Sequence, residues 1–152
     1  MKILFINGSP NQNGTTAQLA KTMLGEYFYE TLNLVDYKIY SYGQNFSDDQ
    51  LTEVLKKIRN ADVIVIGSPV YWHNLCGTIR TLLDRFYESV RQGELKGKRL
   101  YLLYQGASPE KWMLDAGEYT IKRFGKLYGL DYIGMANDRQ QAEKLGDTLK
   151  GE

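Results

Sequence analysis

Two short apolar runs, neither interrupted by alternating polar residues, set the strongest limit on how this sequence folds. They lie at Lys2–Asn7 and Ala61–Gly67, and such runs are typical of β-strands whose two faces are both buried. After each run come Gly, Ser or Pro, and then apolar residues at the spacing of a helix. Buried strands that alternate with amphipathic helices predict an α/β domain whose parallel sheet is covered on both faces.

The same patterns along the chain predict five strands and five helices. We expect the strands at Lys2–Asn7, about Leu32–Tyr40, Ala61–Gly67, Arg99–Tyr104 and Asp131–Met135. Apolar positions mark the helices from Ala17 to Phe28, Leu51 to Ile58, Leu75 to Val90, Met113 to Leu127 and Ala142 to Leu149. The second strand alternates apolar with charged residues, which indicates a sheet edge and favours the strand order 2-1-3-4-5. Ligands of such sheets bind at the carboxyl ends of strands 1 and 3.

The loop after the first strand, Gly8–Thr16, is rich in Gly, Ser, Asn and Thr and leads into a helix. Unpaired N–H groups and a partial positive charge at a helix N-terminus, together with hydroxyl groups, predict a phosphate site. A Walker A loop is excluded because Thr15 stands where its Lys would be, and the dinucleotide fingerprint lacks its second glycine after Gly8. The loop has no Lys or Arg, so neutral groups would hold the anion. The alternative is a turn that only joins strand to helix.

A second unusual loop, Gly67–Gly77, follows the third strand and is expected beside the first loop. Tyr71 and Trp72 place two large rings in this connection, which favours a flat apolar ligand. The alternative is that the rings fill a helix–sheet junction or a subunit interface. Flavin mononucleotide (FMN), which has a phosphate at one end and a planar ring at the other, would satisfy both loops.

Composition narrows the class of protein further. The 152 residues are 43% hydrophobic and 24% charged, as in a single globular domain, and the net charge of +1 gives no broad attraction for nucleic acid or an anionic membrane. No apolar run approaches the ~20 residues of a membrane span. Cys76 is the only cysteine, which excludes an internal disulfide and suits a reducing, cytoplasmic location. No residue cluster has the spacing of metal ligands, so no metal is expected.

Three motifs together resemble the NADPH-dependent FMN reductase family, which includes many NAD(P)H:quinone and azo-type reductases. The motifs are Gly8-Ser9-Pro10 with Thr15-Thr16, Ser68–Trp72, and Gly77 with Leu82–Arg85. The resemblance implies one flavodoxin-like FMN-binding domain over residues 1–152, a three-layer sandwich. It also implies electron transfer from NADPH or NADH through FMN to a quinone, flavin or similar small acceptor. The family is usually dimeric, so a homodimer with the flavin near the subunit interface is expected.

The resemblance also implies which residues hold the cofactor. Those around the phosphate would be Ser9, Asn11, Asn13, Thr15 and Thr16. Those around the ribityl chain and the ring would be Pro69, Val70, Tyr71, Trp72 and Asn74, with Gln105 and Gly106 of a third loop on the other side of the ring. No catalytic side chain is assigned, because the flavin carries the chemistry. Asn11 or Gln12 stands where relatives often have a basic residue, a departure that bears on phosphate affinity and on the preference for NADPH.

Two other functions remain open at this stage. A flavodoxin-type electron carrier would use the same fold, but carriers are usually strongly acidic and have a shorter phosphate loop. A flavin-binding sensor without turnover would use the same loops.

The roles of two residues are also open. His73 either protonates a reduced quinone or positions nicotinamide, or is a surface group. Cys76 is either a thiol with a lowered pKa at a helix start or a tightly packed small side chain.

Overall fold

The computed structural model describes residues 1–150 and contains six strands and five α-helices. The strands are β1 Ile3–Asn7, β2 Tyr29–Asn33, β3 Val63–Tyr71, β4 Asn74–Leu75, β5 Arg99–Gln105 and β6 Asp131–Ala136. The helices are α1 Thr15–Leu24, α2 Leu51–Asn60, α3 Gly77–Ser89, α4 Lys111–Tyr128 and α5 Arg139–Asp147. Five strands run parallel in the order β2-β1-β3-β5-β6, and β4 pairs antiparallel with the end of β3. The predicted strand order is therefore confirmed, with the additional short strand β4.

Helices cover both faces of the sheet and bury two separate cores. On one face, α2, α3 and α4 contribute residues such as Leu55, Ile79 and Ile121. On the other face, α1 and α5 contribute residues such as Leu19 and Ala142. This arrangement confirms the predicted three-layer α/β sandwich, and it explains why the central strands are apolar without alternation. No helix among residues 1–150 is both long enough and apolar enough to cross a membrane.

The predicted position of the second strand is wrong. β2 is Tyr29–Asn33, in register with Ile3–Asn7 of β1, and Leu34–Asp36 forms a 3₁₀ turn. The alternating segment that follows is extended but lies outside the sheet. Its backbone is paired with the segment just before α2: the Lys38 N–H donates to the Gln50 side chain at 2.8 Å, and the Gln50 N–H donates to the Lys38 carbonyl at 2.7 Å. The alternation arises because every second side chain, Tyr37 and Ile39, packs against the core under α2 and α3. In sequence this pattern cannot be distinguished from that of an edge strand.

The first helix is also shorter than predicted. It ends at Leu24, and Gly25 follows with a φ of 53°, a backbone conformation that glycine adopts at low cost. Phe28, which its spacing placed among the apolar positions of this helix, lies just before β2 and is 91% exposed. By contrast, α4 ends next to Gly129 as predicted, and Gly129 has a φ of 84°.

The carboxyl ends of β1 and β3 bring the two sequence loops together. The Gly8 N–H donates to the Gly67 carbonyl at 2.8 Å, directly after the last paired residues of the two strands. The second loop is not an irregular connection as expected from the sequence. Instead β3 continues through Tyr71 and turns back into β4, so that most of this segment is a two-stranded hairpin. The candidate site therefore lies between the loop after β1 and the β3–β4 hairpin.

Candidate cofactor site

The part of the first loop that precedes α1, Gly8–Gly14, is called the phosphate loop below. Side chains of Asn7, Ser9 and Asn11 fold it by accepting hydrogen bonds from its backbone. The buried Asn7 accepts the Ser9 N–H on Oδ1 at 3.1 Å. Ser9 Oγ accepts the Asn11 N–H, and Asn11 Oδ1 accepts the Asn13 N–H, each at 3.1 Å. Successive turns of this kind are what Ser and Asn stabilise best. Ser9 and Asn11 thus shape the loop with their side-chain oxygens, while Asn13 is exposed at its tip.

The loop ends on a helix N-terminus that no side chain caps. Gly14 occupies the cap position of α1, and the first turn of the helix carries no acidic residue. The first N–H groups of a helix have no partner within it, so they remain available to an anion, with the dipole in its favour. Thr15 is exposed beside them, whereas Thr16 is 1% exposed and its Oγ1 accepts a hydrogen bond from the Gln105 side chain at 3.3 Å.

No positive side chain lies in this loop, and one negative side chain contacts it. The Gln12 side-chain amide donates to Asp36 Oδ1 at 2.8 Å, and both residues are exposed. Asp36 belongs to the 3₁₀ turn that follows β2. An anion bound here would be held by neutral donors and the helix dipole, and it would meet the field of a carboxylate at the rim. The carboxylate of Asp36 therefore acts in the same direction as the missing basic residue at Asn11 or Gln12, because both disfavour a bound phosphate.

The hairpin between β3 and β4 places two aromatic side chains at its tip. Val70 pairs with Leu75 and Tyr71 with Asn74, which leaves Trp72 and His73 as a two-residue turn. Their φ values are 47° and 66°. Positive φ at both central residues is the signature of a type I′ turn, which normally takes Asn-Gly. Trp72 is 94% exposed.

A cavity of about 290 Å³ lies between this hairpin and the third loop. Its lining residues are Val70, Trp72, His73, Gly106, Ala107, Ser108, Pro109 and Met113. Gly106 closes one side so tightly that a Cβ there would lie 3.1 Å from the Val70 Cβ. The His73 ring also contacts the Trp112 ring edge-on, with centroids 5.4 Å apart. The lining is partly apolar, through Val70, Trp72 and Met113, as expected of a site for a planar ring.

The other residues expected around the ring do not line this cavity. Pro69 is buried in β3, and Tyr71 is 47% exposed. Asn74 uses its side-chain oxygen to accept the Leu75 N–H at 2.8 Å. Gln105 reaches Thr16 and so connects the third loop to the start of α1. These residues lie at the same sheet edge as the cavity, but their side chains do not point into it together.

Sequence reasoning missed three residues that shape the site. Asn7 looked like the last residue of a strand, yet its buried amide orders the phosphate loop. Met113 was predicted only as an apolar position that marks the fourth helix, and it lines the cavity. Thr78, in the first turn of α3, donates from Oγ1 to the Gly8 carbonyl at 2.7 Å. Only Asn7 carried a signal, as a polar residue at the end of a strand buried on both faces.

Cys76 is buried, and its Sγ lies 3.3 Å from the Gly8 carbonyl oxygen. A Cβ on Gly8 would lie 2.8 Å from this sulfur, so the close approach of α3 to the loop requires glycine at position 8 and a side chain as small as that of Cys76.

Arg85 is also buried: it donates to the Tyr40 carbonyl at 2.9 Å and pairs with Asp49 at 2.5 Å. Its place is therefore in the structure of the segment before α2.

The donors present fit FMN. The uncapped start of α1 and the hydroxyl of Thr15 suit its phosphate, and the cavity beside Val70 and Gly106 suits its ring. A family model described as NADPH-dependent FMN reductase matches residues 1–114. The chain belongs to this family. Membership confirms the enzyme class and the cofactors expected from the sequence, FMN with NADPH or NADH as electron donor.

The chain is also similar to individual relatives, and its fold is similar to that of a solved flavoprotein. The chain is 33% identical over 167 residues to "Iron-sulfur flavoprotein MJ1083" of Methanocaldococcus jannaschii, covering 100% of this chain and 84% of that protein. It is 36% identical over 99 residues to an iron-sulfur flavoprotein of Archaeoglobus fulgidus, where the match covers 56% of this chain and 48% of the relative. Its fold matches an FMN-dependent NADH-azoreductase of Bacillus anthracis in complex with FMN, with a TM-score of 0.75, 16% identity and 99% of both chains covered.

Both of the relatives compared by sequence above are named iron-sulfur flavoproteins, so the ligands for a cluster must be sought in this chain. Iron–sulfur clusters are held by sets of cysteine thiolates, usually four, and the 152 residues contain one, Cys76. Among residues 1–150 no group of three or more His, Cys, Asp or Glu side chains is arranged to hold a metal ion. The 152 residues therefore lack the thiolate set that such a cluster requires.

Proposed function

We propose that this protein oxidises NADPH or NADH through FMN held at the carboxyl edge of the sheet, and reduces a small planar acceptor such as a quinone. The observation that carries the proposal is that an uncapped helix start and a cavity of about 290 Å³ both lie at the carboxyl edge of the sheet. Bound FMN would supply the redox chemistry, accepting a hydride and passing electrons on. The protein would bind and orient it, with N–H groups at the start of α1 on the phosphate and the hairpin against the ring.

The exposed rim of the cavity supports a small acceptor as the partner of this reaction. Trp72 is 94% exposed, and Ala107 and Ser108 beside it are also exposed. A planar acceptor can therefore approach a ring held against Val70 without a long loop in the way. His73 lines the same cavity and is within reach of an acceptor that needs a proton.

An anaerobic spectral titration tests the proposal. Purified protein is saturated with FMN, NADPH or NADH is added, and the loss of visible flavin absorbance is followed; 1,4-benzoquinone is then added. Fast bleaching followed by recovery with quinone supports the proposed enzyme. Bound flavin that neither nucleotide reduces would instead indicate a carrier or sensor, and failure to bind FMN would refute the proposal.

A matched pair of threonine variants locates the phosphate in the same assay. Thr15→Val removes an exposed hydroxyl in the first turn of α1, and we expect the Kd for FMN to rise about three- to tenfold. Thr52→Val makes the same change in the first turn of α2, where the residue is also exposed, and should leave the Kd unchanged. Equal effects of the two changes would place the phosphate elsewhere.

We also propose that the protein is a homodimer, joined through the faces of α3 and α4. A groove of about 390 Å³ lies between these helices, and Tyr87 and Tyr119 beside it are 72% and 67% exposed. Arg80, Asp84 and Arg123 also line it, and within residues 1–150 none of the three forms an ion pair. A two-fold interface is self-complementary, so an arginine of each copy can meet Asp84 of the other.

Mass measurement in solution tests the dimer. We expect about twice the chain mass of 17.5 kDa by light scattering, and a monomer for Tyr119→Asp. Phe28→Asp also places a charge at an exposed aromatic residue, which is 91% exposed and outside the groove, and should stay dimeric. A wild-type protein of 17.5 kDa at all concentrations would refute the dimer.

We further propose a cytoplasmic location, where the free thiol of Cys76 stays reduced.

A further inference from the structure

One carbonyl group connects the phosphate loop to the hairpin. The Gly8 carbonyl oxygen accepts a hydrogen bond from Thr78 Oγ1 at 2.7 Å and lies 3.3 Å from Cys76 Sγ. Cys76 and Thr78 flank the first residue of α3, directly after β4. The start of α3 therefore contacts the first residue of the phosphate loop through two side chains on the same atom.

The hairpin is attached to the same point from its other side. The Cys76 N–H donates to Ser68 Oγ at 2.9 Å, and Ser68, in β3, is fully buried. α3 also packs closely against Gly8, because a Cβ on Gly8 would lie 2.5 Å from Ile79 Cγ1. Movement of the Gly8 peptide is thus resisted by β3, through Ser68 and Cys76, and by the start of α3.

The orientation of this peptide matters for the residues that follow it. The Gly8 carbonyl and the Ser9 N–H belong to one planar peptide unit. Thr78 holds the carbonyl end, and Asn7 Oδ1 accepts the N–H end at 3.1 Å. The plane of this unit sets the direction in which the chain enters the turns at Ser9 and Asn11, and therefore where the loop places its donors.

We propose that Thr78 is a positioning residue for the phosphate of FMN, acting through the Gly8 peptide. Thr78 itself is turned to the protein backbone, while the groups that would face the phosphate are those of residues 9–16. The proposal rests on the proposed function, since it requires that this loop binds FMN. It predicts that loss of the Thr78 hydroxyl weakens binding of the phosphate more than binding of the ring.

Thr78→Val removes the hydroxyl and nearly keeps the shape of the side chain, and Thr78→Ser retains the hydroxyl. We expect Thr78→Val to raise the Kd for FMN about five- to tenfold, which corresponds to the loss of about one hydrogen bond. The Kd for riboflavin, which lacks the phosphate, should change less than twofold. Thr78→Ser should restore the wild-type Kd for FMN. Without flavin, amide hydrogen exchange in residues 9–14 should be faster in Thr78→Val than in wild type.

Thr148→Val is the control, because its Oγ1 also donates to a backbone carbonyl, that of Leu145 at 2.6 Å, and its other partner is the Tyr101 hydroxyl rather than the phosphate loop. Thr78→Ala, measured in parallel, supplies the same comparison if the valine variant folds poorly. Equal weakening of FMN and riboflavin, or unchanged FMN binding in both hydroxyl-free variants, would overturn the positioning role while leaving the proposed function intact. A wild-type protein that binds neither flavin would overturn both.

Discussion

Gly8→Ala is the most informative single change at the joint between the phosphate loop and α3. The added Cβ would lie 2.5 Å and 2.9 Å from the Cγ1 and Cδ1 of Ile79, and 2.8 Å from the Cys76 sulfur. Distances below 3.0 Å require something to move, and Ile79 is fully buried. Forcing one methyl group into such a packed site costs about 1–3 kcal/mol. Because the methyl group displaces Gly8, we also expect weaker FMN binding.

Gly77→Ala is the matched control, since a Cβ there would meet nothing within 4 Å. Gly77 begins α3, so alanine should leave the free energy of unfolding unchanged or raise it by up to about 1 kcal/mol. Both variants are measured by urea denaturation and by FMN titration. The steric argument predicts a lower midpoint and a higher Kd for Gly8→Ala alone.

A double-mutant cycle tests the cause assigned to this loss. Ile79→Ala alone should cost about 2–5 kcal/mol as a large-to-small change in the core. It also removes two of the three close atoms, Ile79 Cγ1 and Cδ1, and leaves the Cys76 sulfur at 2.8 Å. Gly8→Ala combined with Ile79→Ala should therefore cost less than the sum by about 0.5–2 kcal/mol. Strict additivity, or a Gly8→Ala protein as stable as wild type with the same Kd, would refute the reasoning.

Three further predictions follow from other groups. The hydroxyl of Tyr104 has no hydrogen-bond partner within residues 1–150, and burial raises the pKa of Tyr104 to about 12. Tyr104→Phe should therefore raise the free energy of unfolding, measured by urea denaturation, by about 1 kcal/mol. Tyr101→Phe, which loses a hydrogen bond to Thr148, should lower it by a similar amount. Gln12→Arg adds the missing positive charge and should lower the Kd for FMN about two- to fivefold at low salt, and less at high salt, in a fluorescence titration. Burial raises the pKa of Asp49, but hydrogen bonds from Arg85 and from backbone amides outweigh it and hold the pKa below the usual 3.8. The stabilisation from Asp49 is therefore present above that value and lost as the pH falls through the lowered pKa, so the advantage of wild type over Asp49→Asn in urea should shrink below about pH 4.

The interior strands were predictable because burial on both faces leaves a direct mark on sequence. The apolar runs at Lys2–Asn7 and Arg99–Tyr104 lie within a residue or two of β1 and β5. The edge of the sheet was not predictable in the same way. The segment after Asn33 alternates as an edge strand does, but its backbone bonds go to Gln50 and Asp49 across a loop. Nothing local in the sequence distinguishes these two ways of satisfying an extended backbone.

The candidate site was predictable as loops but less so as individual contacts. Strand order alone placed the phosphate loop beside the segment after β3, because carboxyl ends of neighbouring parallel strands share an edge. The division of labour within the loops depends on side-chain direction. Thr15 and Thr16 are adjacent in sequence, yet one is exposed at the helix start and the other is buried against Gln105. Thr78 contacts Gly8 across 70 residues of sequence, a separation that no local pattern reports.

The hairpin tip shows why local rules fail at this site. A two-residue turn with positive φ at both positions favours Asn-Gly, and bulky residues there cost of order 1–3 kcal/mol each. Trp72 recovers little of this cost by burial, since it is 94% exposed, and His73 regains part of it through its edge contact with Trp112. Stability of the fold would therefore select against both residues at these positions. Their presence at the rim of the cavity agrees with the proposed role of the hairpin, in which the rings contact a bound molecule.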